Sequence, residues 1–214
     1  PFDVPAAASV WNVEQDAARA ALSDLVRFSL LNYEPGESGQ GTVNTDHYPL
    51  TTDHYFLHDL LRDFADARMS DDERATTRLH HAKHYLQVAQ AADELYLQGG
   101  DHISAGLKLF DTEWAHIQAG QMWATTNWET NEDATRLCNE YPHATAYLLN
   151  LRLHSRDWIK WLETAVAAAR KLGDKSRGGN HLGNLGNAYR ELGDARKAIE
   201  FYEQALAIDR DIGD

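Results

Sequence analysis

The chain of 214 residues contains little of what specifies several large protein classes. Its one cysteine, Cys138, excludes a disulfide within the chain and supplies no cluster of metal-binding thiolates. No apolar run approaches the roughly 18 residues that a membrane-spanning helix needs. The first residues also lack the pattern of a secretory signal. These absences predict a cytoplasmic protein without a membrane partner.

Basic residues are scarce as well. The chain has 20 lysines and arginines against 33 aspartates and glutamates, for a net charge of -13. Residues 1–66 hold eleven acidic residues against three arginines, Arg19, Arg27 and Arg62. Because lysine and arginine drive binding to a phosphate backbone, this balance predicts that nucleic acid is not a partner.

Proline and glycine are rare and cluster in two segments, 35–53 and 173–193. Most of the remaining sequence has apolar residues at the three- and four-residue spacing of helices. Short apolar stretches at 30–33 and 55–57 flank the first cluster, and a helical pattern follows over 58–68. The expected fold is therefore mainly α, with one small β-hairpin that has a long, mobile loop.

Two long helices are predicted after this hairpin. Ser70 is followed by three acidic residues, which is typical of a helix start because a serine side chain caps free backbone N–H groups. The pair Gly99 and Gly100 predicts the end of that helix. A second long helix is expected over about 102–124, and shorter helices after it.

The last third of the chain contains an internal repeat. Residues 159–174 align with 199–214 at an offset of 40, with seven of sixteen pairs identical. Small and aromatic residues of the second unit are similar in spacing to helix pairs of the tetratricopeptide repeat (TPR). Glycine and alanine would allow close helix approach there, and tyrosine would fill the space between the helices. The residues concerned are Leu182, Leu185, Gly186, Tyr189, Ala198, Tyr202 and Ala205.

A resemblance to one signalling family extends over most of the chain. The segments FDVPAAASVW, DAARAALSDLVRFSLLNYEP and YFLHDLLRDFADARM resemble the winged-helix domain of STAND-class ATPases of the NB-ARC type. Leu57, His58 and Asp59 stand where the family has Met-His-Asp. The segments HHAKHYLQVAQAADELYLQGG and KLFDTEWAHIQAGQMWA are similar to the helical connector of bacterial NB-ARC proteins with TPR sensors. Leucine replaces the motif's methionine, and the loop of the wing is longer than expected.

This resemblance implies a division into three parts. Residues 1–69 would form the winged helix, with its wing loop at about 35–53, and residues 70–139 the connector. Residues 140–214 would form the TPR region, divergent over 140–177 and typical over 178–214. Since the chain opens at Pro1 and stops where a further repeat would begin, we expect it to be a segment of a longer protein.

The resemblance also implies a role. The segment would be regulatory and ligand-sensing, without catalysis of its own, in a full-length protein that binds ADP or ATP with Mg²⁺. Its winged helix would latch the protein's own nucleotide-binding domain, and a protein ligand on the TPRs would release the latch and allow oligomerisation. Two alternatives remain open: a TPR adaptor or scaffold with a structural winged helix, and a winged-helix transcriptional regulator with a TPR sensor.

His58 is the candidate nucleotide contact. In the resembled family the matching histidine contacts the β-phosphate of bound ADP, and a helix N-terminus also favours anions. The alternative is a partly buried histidine that only organises the strand-to-helix junction. The chain has no glycine-rich phosphate loop, and Gly173, Asp174, Lys175 and Ser176 match only the end of that motif. The sequence therefore predicts no nucleotide hydrolysis by this chain itself.

A second candidate site is a peptide-binding groove. Asn180, Asn184, Asn187 and Arg190 would project from one side of the first helix of the typical repeat, the side that lines the concave face of TPR proteins. The offset of 40 adds Tyr147 and Asn150 of the divergent repeat. An ordinary solvated helix face is the alternative.

Two histidines have the spacing of metal ligands. His80 and His84 lie four residues apart and would share one helical face, but no HExxH motif is present and a third ligand would have to come from elsewhere. The prediction is that the chain binds no metal.

Overall fold

The structure is a computed structural model that describes residues 1–35, 44–45, 48–49 and 53–213. These residues form ten helices and four short strands. The helices are α1 (Val4–Trp11), α2 (Gln15–Arg27), α3 (Asp59–Arg68), α4 (Asp71–Gln98), α5 (Asp101–Asn127), α6 (Glu132–Ala144), α7 (Ala146–Arg152), α8 (Ser155–Leu172), α9 (Lys175–Glu191) and α10 (Ala195–Ile212). The strands are β1 (Leu31–Glu34), β2 (Asn44–Thr45), β3 (Tyr48–Pro49) and β4 (His54–Leu57). The mainly helical prediction is confirmed.

The predicted hairpin is also confirmed. Strands β1 and β4 pair antiparallel, with Leu31 opposite Leu57, and the backbone of Phe2 bonds to that of Tyr55. A short β2–β3 pair lies within the predicted wing loop and was not expected. The rest of that loop, and its expected mobility, lie outside the described residues. A small apolar core joins α1, α2 and the hairpin: Val4, Ala7, Ala8, Ala18, Leu22, Leu31 and Tyr55.

Helix α3 differs from the other long helices because none of its residues is buried. Leu60 is 84% exposed and Phe64 is 56% exposed. The helix is held at its C-terminal end, where Arg74 of α4 donates a hydrogen bond to the Asp66 carbonyl (2.7 Å) and pairs with the Asp66 carboxylate. The short order of two helices, a hairpin and a third helix agrees with a winged helix but is not specific to it.

The two long predicted helices form an antiparallel pair. The Ser70 hydroxyl accepts the Glu73 amide and the Glu73 side chain returns to the Ser70 amide, which completes the expected cap of α4. Gly99 and Gly100 both adopt positive φ between α4 and α5, where other residues would be strained. A side chain on Gly106 of α5 would collide with the backbone of α4, so its absence allows the close approach of the pair.

Helix α6 joins this pair to the repeats. The Tyr141 hydroxyl donates to the carbonyl of Ala82 on α4 (2.7 Å, buried). The chain then breaks at Thr145, and Asp93 of α4 accepts the amide of Leu148 (2.9 Å) at the start of α7. The offset of 40 would make 135–151 one helix equivalent to α9. The structure divides it into α6 and α7, because Pro142 removes a backbone donor and the Asp93 carboxylate caps a new helix.

The last three helices pack as the repeat predicts. Gly173 has a left-handed φ of 70° and ends α8 as expected. The ring of Tyr202 on α10 occupies the space beside Gly186 on α9, and Tyr189 stacks on Phe201 with ring centroids 5.3 Å apart. Trp114 of α5 stacks on Trp161 of α8 at 6.0 Å, which joins the repeats to the long pair.

A single apolar core is continuous from α4 to α10. The predicted division at residue 140 falls inside α6, so the connector and the repeats share buried residues. In the part of the chain that the structure describes, no helix is both long enough and apolar enough to span a membrane.

The first prediction concerns the closest helix contact in the repeat. Gly186→Ala should lower the free energy of unfolding by about 2 kcal/mol, because a methyl group there overlaps the Tyr202 ring and the ring must shift. Urea unfolding followed by circular dichroism measures the difference.

Gly183→Ala is the matched control on the same helix. A methyl group there meets nothing within 4 Å, and replacing a helical glycine should raise stability by roughly 0.5–1 kcal/mol. Equal effects of the two substitutions would contradict the close packing of α9 on α10.

Candidate protein-binding surface

The predicted groove residues of α9 lie on its accessible side. Asn180 and Arg190 are exposed, and Asn184 and Asn187 are half-buried. The Oδ1 atom of Asn187 accepts a hydrogen bond from the Tyr202 hydroxyl (2.8 Å), which fixes that amide. The four side chains therefore form one polar strip, and the Nδ2 group of Asn187 is directed away from Tyr202.

Tyr147 and Asn150 lie apart from this strip. Both are exposed, but they belong to α7, which the break at Thr145 separates from α6. Helix α7 contacts α4, α6 and α8, whereas α9 packs between α8 and α10 and touches α6. The prediction that Tyr147 and Asn150 continue the strip of α9 depended on one unbroken helix, and the structure replaces that helix with two.

A buried polar network fixes the position of α9. Asn139 of α6 donates through Nδ2 to the Asp174 carboxylate (2.9 Å). Its Oδ1 and backbone carbonyl lie 3.0 and 3.1 Å from Nε2 of His181 on α9. Asp174 also accepts the amide of Arg177 (3.1 Å) and so caps the first turn of α9.

This network determines the tautomer of His181. A carboxylate only accepts hydrogen bonds, so the amide of Asn139 must direct its nitrogen at Asp174 and its oxygen at His181. Nε2 of His181 is then the donor, and Nδ1 carries the lone pair. Nδ1 is buried and makes no hydrogen bond.

The pKa values of the network follow from this arrangement. Burial lowers the pKa of His181 to about 4, since a charged imidazolium would be removed from water. Burial also acts on Asp174, but hydrogen bonds from the Arg177 amide and from Asn139 outweigh it and hold the pKa of this carboxyl below its ordinary value. At neutral pH the network therefore contains a neutral histidine and an ionised aspartate.

Sequence reasoning missed this network. Asn139 and His181 are 42 residues apart, and neither helical spacing nor the repeat offset of 40 relates them. A polar residue at a position of α6 that periodicity assigns to the core was the only available signal.

His58 is exposed at the start of α3, where its side chain makes no cap hydrogen bond. This excludes the partly buried junction histidine as the structural alternative. An apolar groove of about 660 Å³ lies next to it between α1, α3 and α4. Leu57, Leu61 and Phe64 belong to its lining.

The remaining sequence candidates have ordinary surroundings. Nδ1 of His80 lies 3.3 Å from the carbonyl of Val10, and His84 is buried on α4. Within the described ranges no group of three or more histidine, cysteine or acidic side chains could hold a metal ion. Arg27 of α2 pairs with Asp24 at 3.2 Å, which leaves Arg19 as the exposed unpaired-charge candidate for a nucleic-acid contact on that helix.

Comparison with known proteins supports the repeat. A model of the tetratricopeptide repeat family matches residues 159–211, which cover α8 after its first turn, α9 and nearly all of α10. No curated protein and no solved structure matches the chain. The TPR part of the sequence resemblance is thus supported, and the signalling-ATPase part stays a prediction.

A second prediction uses the buried histidine. The unfolded chain binds a proton at His181 near pH 6.5 but the folded chain only near pH 4, so the contribution of this residue to stability falls as pH falls through that window. Relative to His181→Gln, the wild type should lose about 2 kcal/mol of its free energy of unfolding between pH 7 and pH 5.

Urea unfolding at several pH values measures this difference. The other buried histidines titrate in both proteins and cancel. Unfolding free energies that stay parallel between the two proteins would contradict the assigned tautomer and burial.

Proposed function

We propose that this chain is a protein-interaction segment that binds an extended peptide along α9. The observation that carries the proposal is the TPR match over 159–211 together with the polar strip on α9. The strip lies on a helix that is fixed from both sides by α8 and α10 and from a third direction by Asn139. A ligand would meet a preorganised surface, which reduces the entropy lost on binding.

The side chains of the strip suit a peptide backbone. Each asparagine amide offers a donor and an acceptor, which matches the alternating C=O and N–H groups of an extended chain. Asn187 contributes its donor only, because its oxygen is occupied by Tyr202. Arg190 adds a positive charge at the C-terminal end of α9, where it can pair with a carboxylate.

The third prediction tests this surface. A peptide selected from a phage-displayed library on the wild-type chain should bind Asn184→Ala/Arg190→Ala at least about 10-fold more weakly, because two polar contacts are lost. Fluorescence anisotropy of the labelled peptide measures the dissociation constants.

Arg196→Ala on α10 is the control. The Arg196 side chain is 91% exposed and lies outside the strip, so its removal should leave the affinity unchanged. Peptides that bind the wild type and the Asn184→Ala/Arg190→Ala variant equally would contradict a site on α9.

A second candidate function is the regulatory segment of a STAND ATPase. Exposed His58 beside an apolar groove favours it, because a histidine used only for folding would not need to face solvent next to uncovered leucine and phenylalanine side chains. The groove would receive the protein's own nucleotide-binding domain. No specific observation favours the transcriptional regulator.

The fit to a nucleotide is limited to one contact. His58 can donate a hydrogen bond to a phosphate oxygen at the N-terminus of α3. Asp59 in the first turn opposes an anion there, although Arg62 pairs with it at 2.9 Å. ADP or ATP and its Mg²⁺ would therefore be held mainly by residues of the nucleotide domain, and His58 would report its state.

The fourth prediction applies to a protein in which a nucleotide-binding domain precedes Pro1. His58→Ala should then release bound ADP faster and raise the fraction of oligomers, because a contact of the resting state is lost. Nucleotide release and light scattering measure the two effects.

His102→Ala is the matched control, since His102 is an exposed histidine of α5 far along the chain from the groove. The latch is contradicted if His58→Ala and His102→Ala retain ADP equally. Absence of a phosphate-binding loop in the preceding residues would instead leave the TPR adaptor.

A further inference from the structure

The outer face of α10 is apolar and uncovered. Ile199 is 57% exposed and Leu206 is 47% exposed, one above the other at a spacing of seven residues. The opposite side of the helix packs on α9 through Ala198 and Ala205. Helix α10 therefore buries one side, although apolar residues occupy two.

The repeat provides a direct comparison for this face. At the offset of 40, Ile199 and Leu206 correspond to Ile159 and Val166 of α8. Those two residues are only 7% and 6% exposed. Helix α8 contacts α6 on one side and α9 on the other, so the same positions are covered where a following helix is present.

The helix that covers α8 has a recognisable pattern. Gly178 of α9 would place a Cβ 3.7 Å from Ala169 of α8, and Leu182 and Leu185 are buried farther along the same helix. A glycine followed by leucines four and seven residues later thus characterises the covering helix.

The turn that leads into α9 is also repeated. Gly173, with φ 70° and ψ 17°, ends α8, and Asp174 then caps α9. Gly213 ends α10 with φ 87° and ψ 24°. Both the side chains and the terminal turn of α10 thus reproduce a helix that receives a neighbour.

We propose that the outer face of α10 is a docking surface for an amphipathic helix with the pattern of α9, which is the first helix of a further repeat. This interface is continuous with the α8–α9 interface. It is separate from the peptide strip on α9, so each can fail without the other.

The test uses the whole chain with residues 175–213 appended a second time directly after Asp214. Asp214 then stands before the added helix as Asp174 stands before α9. Thermal unfolding followed by circular dichroism should show one transition whose midpoint is roughly 5 °C above that of the parent chain, because an added repeat contributes a neighbour interface.

Matched substitutions locate the interface. Ile199→Gln/Leu206→Gln should abolish the gain in the extended protein and shift the parent chain by less than about 2 °C, since both side chains are exposed there. Glu200→Gln/Glu203→Gln should retain the gain, because the α8 counterparts Lys160 and Glu163 stay exposed beside α9.

Hydrogen exchange provides a second readout: α10 amides should exchange more slowly in the extended protein than in the parent. An appended segment that stays unfolded, or a gain that survives Ile199→Gln/Leu206→Gln, would overturn the proposal. So would a parent chain that dimerises in sedimentation and loses the dimer in that variant, since a second copy would then cover the face.

Discussion

Close approach of helices at glycines is the constraint on which this structure depends. Gly106 meets the backbone of α4, Gly120 meets Tyr141 of α6, and Gly186 meets the ring of Tyr202. Each glycine brings two helices nearer than an ordinary side chain allows, and the aromatic or backbone group opposite fills the space. The long helix pair, the connector and the repeat are therefore joined by the same kind of contact, and one continuous core results.

Buried polar groups then give this core a defined orientation. Asn139 bonds both to the cap of α9 and to His181 inside it, so α9 cannot rotate without breaking hydrogen bonds in a region without water. Asp93 acts similarly where α7 begins, and burial raises the pKa of its carboxyl to about 6. The accessible strip of α9 is thus rigid as a result of interactions made on its opposite side.

The sequence predicts local structure well where one residue type has one physical role. Ser70 and Gly173 ended or began helices as expected, and Gly186 with Tyr202 identified the repeat packing. It failed at Thr145, since the break depends on a carboxylate 52 residues earlier that only the fold brings there. The strip was half predicted for the same reason: α9 is continuous, whereas the helix that should have carried Tyr147 is not.

The central claim is that α9 presents the protein-binding surface, and the apolar groove beside α3 is the competing location. Hydrogen–deuterium exchange of the chain, with and without a peptide selected on it, distinguishes the two most directly. The account predicts slower exchange along α9 and unchanged exchange in α3. Protection confined to α3 and β4, with α9 unaffected, would contradict it.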